Sequence, residues 1–139
     1  QVALDKRNDI IVGVSPPMKG KIHHKRQLAQ TGWNDKLPDD VNRWGDTAYI
    51  GMDDDINDAG SWLIPTKRSK KYDLSKEQRK SNRYISRQRI SIEHAIGKMK
   101  TFKRISEIVS IKTNEYLYSL ILASANLVNY KTLMRQGLD

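Results

Sequence analysis

The stretch NRYISRQRISIEHAIGKMKTFKRI, residues 82–105, decides how this chain folds. Its apolar residues recur at helical spacing, which predicts a long helix through Phe102 with one buried face. Glu93 is the only acid in the stretch and stands among several Lys and Arg. The residues predicted to form the buried face are Ile85, Ile92, Ala95, Ile96 and Met99. A face of this kind needs another element to cover it, so the stretch predicts a layered domain.

The limits of the long helices follow from capping signals. Ser75 and Gln78 have the spacing of a capping box, so we predict that a helix begins there, with a break near Ser81–Asn82. A last helix is predicted to begin at a cap on Asn114 and to end at Gly137. Its predicted buried stripe comprises Leu117, Leu120, Ile121, Ser124, Leu127 and Val128.

Strands are predicted before the long helices. Val2–Leu4 and Ile10–Val14 flank a polar turn and predict an antiparallel hairpin, which Pro16–Pro17 ends. The remaining predicted elements are a short helix at His23–Ala29, strands at Arg43–Gly45 and Trp62–Ile64, loops at Asn34–Asp40 and Gly51–Gly60, and a strand or connector at Ile108–Ile111. This order, in which strands come first and long helices follow, predicts an α/β (α+β) fold with a sheet of three or more strands packed by helices.

A second acid, Asp46, lies in RWGDTAYIG, residues 43–51. Gly45 allows a sharp turn and Gly51 allows close packing. Two carboxylates from different elements of a basic protein suit a metal-dependent enzyme that cuts phosphodiester bonds, because hard cations prefer oxygen ligands. Simpler interpretations stay open, because an Asp beside Gly is often a turn residue and Glu93 could pair with Arg89.

The charge of the chain favours a polyanionic partner. Its 25 Lys and Arg outnumber its 16 Asp and Glu, giving a net charge of +9 and a sequence pI near 9.8. Lys67–Arg104 holds more than half of these cations and only three acids, rather than a balanced mixture of charges. The residues that we predict to contact DNA are Lys67, Arg68, Lys70, Lys71, Arg83, Arg87, Arg89 and Lys100.

Several classes of protein and site are disfavoured. No apolar run approaches the roughly 18–20 residues of a membrane span, so we expect no membrane partner and a cytoplasmic or nuclear location. The absence of Cys excludes disulfides and thiolate sites. His23 and His24 have no third nitrogen or sulfur ligand nearby, which disfavours zinc. The three tryptophans, at positions 33, 44 and 62, are predicted to pack rather than to stack on bases.

Four segments, in collinear order over nearly the whole chain, resemble the DDE-type transposases of insertion sequences and their Harbinger-like relatives. GDTAYIG resembles the segment of the family's second catalytic Asp, and the helix around Glu93 is similar to the one that bears the third acid. Val12–Ser15 with Gly20-x-Ile22-His23 resembles a strand and the segment after it, although His24 replaces the usual Asp. Ala125–Asn129 resembles the closing helix.

The resemblance implies an RNase H-like fold, a mixed sheet flanked by helices, with residues 1–139 as one domain that lacks the N-terminal part of the fold. It implies that Asp46 and Glu93 are catalytic metal ligands for Mg²⁺ or Mn²⁺, and that the first catalytic Asp lies upstream of Gln1. The implied reaction is cleavage and strand transfer at transposon ends, with transposon-end and target DNA as partners and a possible homo-oligomer. The fragment alone is expected to be inactive.

Two further functions compete with this interpretation. The chain could be a non-catalytic DNA-binding protein derived from a transposase, or a generic basic RNA-associated domain, although the latter leaves the four segments unexplained. If Asp46 and Glu93 belong to one metal site, their carboxylates should face each other across a cleft, separated by no more than roughly 12 Å, because both would contact the same ions at about 2.0–2.6 Å.

Overall fold

The computed structural model describes residues 1–18, 24–32, 36, 38, 41–50, 62–102 and 113–137. These residues form helices and short strands, which confirms the predicted α+β class. In chain order the elements are β1 (Val2–Asp5), β2 (Ile10–Val14), α1 (His24–Thr31), β3 (Arg43–Trp44), a 3-10 helix (Thr47–Tyr49), β4 (Trp62–Leu63), α2 (Lys76–Lys100) and α3 (Asn114–Gln136).

The chain divides into two compact units. The first comprises Gln1–Lys19 with Ile90–Asp139, and the second comprises Gly20–Arg89. The described strands form two sheets of two strands each, β1 with β2 and β3 with β4, rather than one sheet of three or more. The RNase H-like arrangement and the single domain therefore stay predictions. Outside the described residues lie the predicted elements at 51–60 and 108–111, most of the loop at 34–40, Trp33, and the His23 and His24 side chains.

The N-terminal hairpin of the first unit forms as predicted. β1 and β2 pair antiparallel, with Val2 opposite Val14 and Asp5 opposite Ile10. The register shifts by one residue after Ala3, which leaves Val12 without a partner in β1. The turn takes its shape from local hydrogen bonds and from Asp9, whose φ of 54° lies in the left-handed region that Asp tolerates better than most residues.

The core of the first unit joins the hairpin to the two long helices. Met99 is buried as predicted, Lys98 is exposed, and Ile92 and Ile96 are half-buried, while Lys103 lies outside the described residues. The buried cluster consists of Ile11, Val14, Ala95, Met99, Ala125 and Val128, with Val2, Leu4, Phe102 and Ile121 packed against it. Tyr118 adds a polar link, since its hydroxyl donates to the Val14 carbonyl at 3.2 Å.

The last helix begins and ends close to the predicted points. Thr113, not Asn114, has the extended backbone of the N-cap, and Gly137 ends the helix in the left-handed region with φ 70°. The predicted buried stripe is wrong at Leu127, which is 48% exposed. Ala125 and Thr132 are buried instead, because the face toward the hairpin carries small side chains that admit close packing.

The second unit contains a short parallel pair and the first part of α2. Arg43 pairs with Trp62 and Trp44 with Leu63. The predicted capping box is present, since the Gln78 N–H donates to the Ser75 hydroxyl at 3.1 Å and the Ser75 N–H donates to the Gln78 side chain at 2.9 Å.

The predicted break at Ser81–Asn82 is wrong, because α2 runs unbroken over 25 residues. The Asn82 side chain is engaged outside the helix, where it accepts from the Thr66 N–H at 2.8 Å and donates to the Thr66 carbonyl at 2.9 Å. It therefore does not compete for the backbone of its own helix.

Candidate nucleic acid and metal site

Asp46 follows β3 after one intervening residue, Gly45, and caps the 3-10 helix that comes next. Its backbone is extended, and its Oδ1 accepts from the Ala48 N–H at 2.8 Å. The residue is half-buried. Within the part of the chain that the structure describes, Oδ2 has no hydrogen bond. One carboxylate oxygen is thus fixed by the backbone while the other is left for a further ligand.

Gly45 has a packing role that the sequence did not reveal. A Cβ at this position would lie 3.2 Å from Cζ3 of Trp62 and 3.3 Å from Cβ of Tyr49. The two aromatic rings stack with centroids 5.3 Å apart, and the Gly45 N–H donates to the Leu63 carbonyl at 3.2 Å. The turn that carries Asp46 is therefore supported by the packing of Gly45, Tyr49 and Trp62. Trp44 and Trp62 are half-buried, and the Trp62 ring packs against Tyr49.

Glu93 lies on the exposed side of α2, as the helical spacing predicts. Ala95 and Met99 point into the core, whereas Glu93, His94 and Gly97 are exposed. Among the residues that the structure describes, a Cβ built on Gly97 would meet nothing within 4 Å. Glu93 and Arg89 each take part in an interaction, and the simpler interpretation of Glu93 as an ion-pair residue stays open.

The two acids belong to different units, Asp46 to the second and Glu93 to the first. Their predicted convergence therefore stays a prediction. Among the described residues no group of three or more His, Cys, Asp or Glu side chains could hold a metal ion. The chemistry of the two residues nevertheless suits a hard divalent cation, because both supply carboxylate oxygens.

Most of the predicted DNA contacts lie on the surface. Arg83, Arg87 and Lys100 are exposed on α2, and Arg89 is half-buried. The loop after β4 presents Lys67, Arg68, Lys70 and Lys71, all exposed. Arg68 also forms an ion pair with Asp73 at 2.7 Å, which is exposed on both sides and therefore weak.

The structure adds three cations that sequence reasoning missed. Lys76, Arg79 and Lys80 line a shallow surface groove of about 220 Å³ together with Arg83. Their spacing of three and four residues along α2, continued by Arg87, is the signal that could have found them. We call Lys76, Arg79, Lys80, Arg83 and Arg87 the basic stripe. Two exposed aromatic residues belong to the same part of the chain, Tyr72 after β4 and Tyr84 on α2.

The basic stripe is expected to destabilise its own helix. Like charges three or four residues apart repel, and the first turns of a helix favour anions because of the helix dipole. Glu77 is the one acid in the first turn of α2. Its pKa is lowered by the N–H of its own backbone and by the Ser75 hydroxyl. A bound polyanion would relieve this repulsion.

A basic α+β chain with motif carboxylates on two different elements has the features of a nuclease that acts on DNA. A family model of the DDE superfamily endonucleases matches residues 1–129, and the chain belongs to this family. The prediction of a DDE-type transposase domain is thereby confirmed. Searches among curated proteins and among solved structures found no match.

Membership of the family establishes the coarse function. The chain has a transposase-like or nuclease-like role, the family's substrate is DNA, and its members generally use divalent metal ions. None of the described helices combines the length and apolar character that a membrane span requires.

Proposed function

We propose that this chain supplies the second and third metal ligands, Asp46 and Glu93, of a transposase that cuts DNA at transposon ends and joins it to a target. The observation that carries the proposal is the geometry of Asp46. Its Oδ1 is held by the Ala48 N–H at 2.8 Å, which orients the carboxylate and leaves Oδ2 for a cation.

The proposed cofactor is Mg²⁺ or Mn²⁺. A divalent ion bound by such carboxylates would activate the attacking water and stabilise the charge that develops on the phosphate. Asp46 and Glu93 would hold the ion, and Gly97, four residues after Glu93, would leave room for the DNA backbone beside the helix. The third acid that the family resemblance implies would complete the set of ligands.

The proposed DNA surface is the basic stripe together with the cations of the loop after β4. Lys and Arg side chains that contact phosphates position DNA without reading its sequence. Tyr72 and Tyr84, exposed beside these cations, are suited to contact sugars or bases at a distorted transposon end. Transposon-end recognition and insertion-sequence origin belong to this proposal.

A second candidate function is a non-catalytic DNA-binding protein derived from a transposase. It is favoured by the capping role of Asp46, because a residue that holds a backbone turn would be retained after catalysis was lost. The two candidates share the DNA surface and differ only in whether the acids bind metal.

Mn²⁺ titration of the full chain separates the two candidates. Asp46→Asn keeps the oxygen that accepts from Ala48, so the variant should fold normally while losing the charge that a cation needs. We expect Asp46→Asn and Glu93→Gln each to weaken Mn²⁺ binding by about tenfold or more. Asp73→Asn is the matched control, because Asp73 is an exposed acid outside both motifs.

Two outcomes of the Mn²⁺ titration would contradict a catalytic role for Asp46 and Glu93. If Asp73→Asn weakens Mn²⁺ binding as much as the two motif variants do, the ion is attracted by surface charge alone. If the wild-type chain binds DNA but the motif variants bind Mn²⁺ as well as the wild type, the non-catalytic function is the better description.

A further inference from the structure

The loop after β4 is attached to α2 at both of its ends. At its start, the Thr66 N–H donates to the Asn82 side chain at 2.8 Å, and the Asn82 amide donates to the Thr66 carbonyl at 2.9 Å. At its end, Nε of Arg79 donates to the Leu74 carbonyl at 3.1 Å. Asn82 and Arg79 are three residues apart, which is about 4.5 Å along the helix axis. Both ends of the loop are therefore held within one turn of α2.

This attachment joins the cations of the loop to the basic stripe. The exposed cations between the two attachment points are Lys67, Arg68, Lys70 and Lys71. The loop also has internal contacts, since Arg68 pairs with Asp73 at 2.7 Å and the Ser69 hydroxyl accepts from the Lys71 N–H at 3.2 Å. Arg79 belongs to both parts of the surface, because it holds the end of the loop and lines the groove of the basic stripe.

The guanidinium of Arg79 is oriented for a ligand. Its Nε is engaged by the Leu74 carbonyl, while its two Nη groups have no hydrogen-bond partner among the described residues. A planar guanidinium held in this way offers two Nη donors to one phosphate, which a lysine ammonium cannot match. Arg83 lines the same groove, but its side chain makes no hydrogen bond within the part of the chain that the structure describes.

We propose that Arg79 is the oriented phosphate-binding residue of this surface, and that Asn82 is a positioning residue that holds the loop cations beside it. The ligand is the phosphodiester backbone of DNA, so this inference rests on the proposed DNA surface. It adds geometry to charge. Cations that are held in place before binding lose less conformational freedom when they bind, so affinity depends on how they are held and not only on their number.

Substitutions that conserve charge test the role of Arg79. Arg79→Lys keeps the charge but loses Nε and the paired Nη donors. We expect it to weaken binding of the full chain to a labelled DNA duplex by about fivefold or more at fixed salt, measured by fluorescence anisotropy. Arg83→Lys is the matched control in the same groove and should change affinity by less than about twofold. Both variants should keep the salt dependence of the wild type, because the number of charges is the same.

Removing the attachment at Thr66 tests the role of Asn82. Asn82→Ala keeps every cation and frees the start of the loop, so we expect affinity for the duplex to fall by about tenfold and the salt slope to fall by about one unit or more. Asn129→Ala is the matched control, since Asn129 makes the same pair of hydrogen bonds to Ile11 in the other unit. Affinity per folded molecule should stay unchanged in this control, and circular dichroism gives the folded fraction.

The outcomes separate this inference from the proposed function. Equal losses for Arg79→Lys and Arg83→Lys would overturn the role of Arg79, and this comparison still decides if Asn82→Ala does not fold. Wild-type affinity and salt slope in folded Asn82→Ala, or an equal loss in Asn129→Ala, would overturn the role of Asn82. A wild-type chain that does not bind the duplex would overturn the proposed DNA surface as well, whereas the Mn²⁺ titration bears only on the metal ligands.

Discussion

Gly45 shows how one residue can decide the shape of a motif. Its importance comes from space and not from an unusual backbone conformation, since the Trp62 ring and Cβ of Tyr49 occupy the volume that a side chain would need. The sequence predicted a special role for Gly45 beside Asp46. It could not indicate Trp62, because the two residues are brought together only when β3 pairs with β4.

Substituting the two glycines of the motif segments should therefore have opposite effects. Gly45→Ala is expected to destabilise the fold by about 1–3 kcal/mol, since a methyl group at 3.2 Å from the Trp62 ring forces neighbouring groups to move. Gly97→Ala should stabilise α2 by about 0.5–1 kcal/mol, because a Cβ there meets none of the described residues within 4 Å. Urea denaturation measures both. Equal effects of the two substitutions would contradict this account.

The ionisation of Asp5 gives a further prediction about a single residue, which concerns the dependence of stability on pH. The Arg7 side chain donates to both of its carboxylate oxygens, at distances between 2.8 and 3.3 Å, and the Arg7 backbone N–H adds a third donor. These hydrogen bonds lower the pKa of Asp5 below its ordinary value. The pKa of the Asp5 carboxyl is thus lower in the folded chain than in the unfolded chain, so the ionised carboxylate stabilises the fold. This stabilisation is fully present above the pKa of the unfolded chain and is lost as the pH falls through the pKa of the folded chain.

An NMR titration of the Asp5 carboxyl checks this prediction. Arg7→Gln should raise the pKa of Asp5 toward its ordinary value, whereas Lys6→Gln, the neighbouring substitution of like charge, should change it much less. An Asp5 pKa at its ordinary value in the wild-type chain would show that the ion pair is not formed in solution.

At the scale of elements, two asparagines hold extended segments against the long helices in the same way. Asn129 on α3 accepts from the Ile11 N–H at 2.8 Å and donates to the Ile11 carbonyl at 2.9 Å. Asn82 on α2 does the same to Thr66. Both asparagines stand in the segments that resemble transposases, so part of that resemblance reflects packing of the fold and not chemistry.

Replacing each asparagine by aspartate should break half of its pair of hydrogen bonds. Asn129→Asp places a carboxylate oxygen against the Ile11 carbonyl in a half-buried position and should cost about 1–3 kcal/mol. Asn82→Asp should cost less, because its hydrogen bonds with Thr66 are exposed to water. Thermal and urea unfolding give the comparison, and the reverse order of effects would refute it.

Local signals predicted the elements better than they predicted interactions between elements. The hairpin, the capping box at Ser75 and the end at Gly137 follow from the chemistry of neighbouring residues. The break at Ser81–Asn82 was wrong because Asn82 is satisfied by Thr66, sixteen residues away. The exposure of Leu127 could not be foreseen, since both faces of α3 are apolar.

At the scale of the whole molecule, the family gives the coarse function, while DNA binding by the basic surface and the metal geometry stay predictions. The excess of Lys and Arg predicted a nucleic acid partner, and the motif order predicted the family that the match to residues 1–129 shows. The convergence of Asp46 and Glu93 depends on long-range packing, which no local pattern encodes. The number of strands in each sheet also depends on long-range packing, so local sequence patterns do not predict it either.

The basic stripe makes a quantitative prediction for DNA binding. Affinity for duplex DNA should fall steeply with salt, with a slope of roughly 0.9 per phosphate contact on logarithmic axes. Replacing Lys76, Arg79, Lys80 and Arg83 together by Gln should lower that slope by about one unit per lost contact. Fluorescence anisotropy at several salt concentrations measures it.

The matched control removes the same net charge elsewhere. Lys6, Arg26, Lys36 and Arg135 are exposed and lie outside the stripe and the loop after β4. Their replacement by Gln should change the salt slope far less. Similar losses for both sets would show that the chain binds DNA through its overall charge and not through a defined surface.

The engagement of Ile11 by Asn129 also bears on solubility. A strand at the border of a small sheet exposes backbone groups that could recruit a strand from another molecule and start a fibril. Here the Ile11 N–H and carbonyl are already taken by the Asn129 amide, and the irregular register at Val12 interrupts the regular ladder that an incoming strand would need. We therefore expect Asn129 to hinder the addition of a further strand to the hairpin, and its loss to increase aggregation beyond what reduced stability alone would cause.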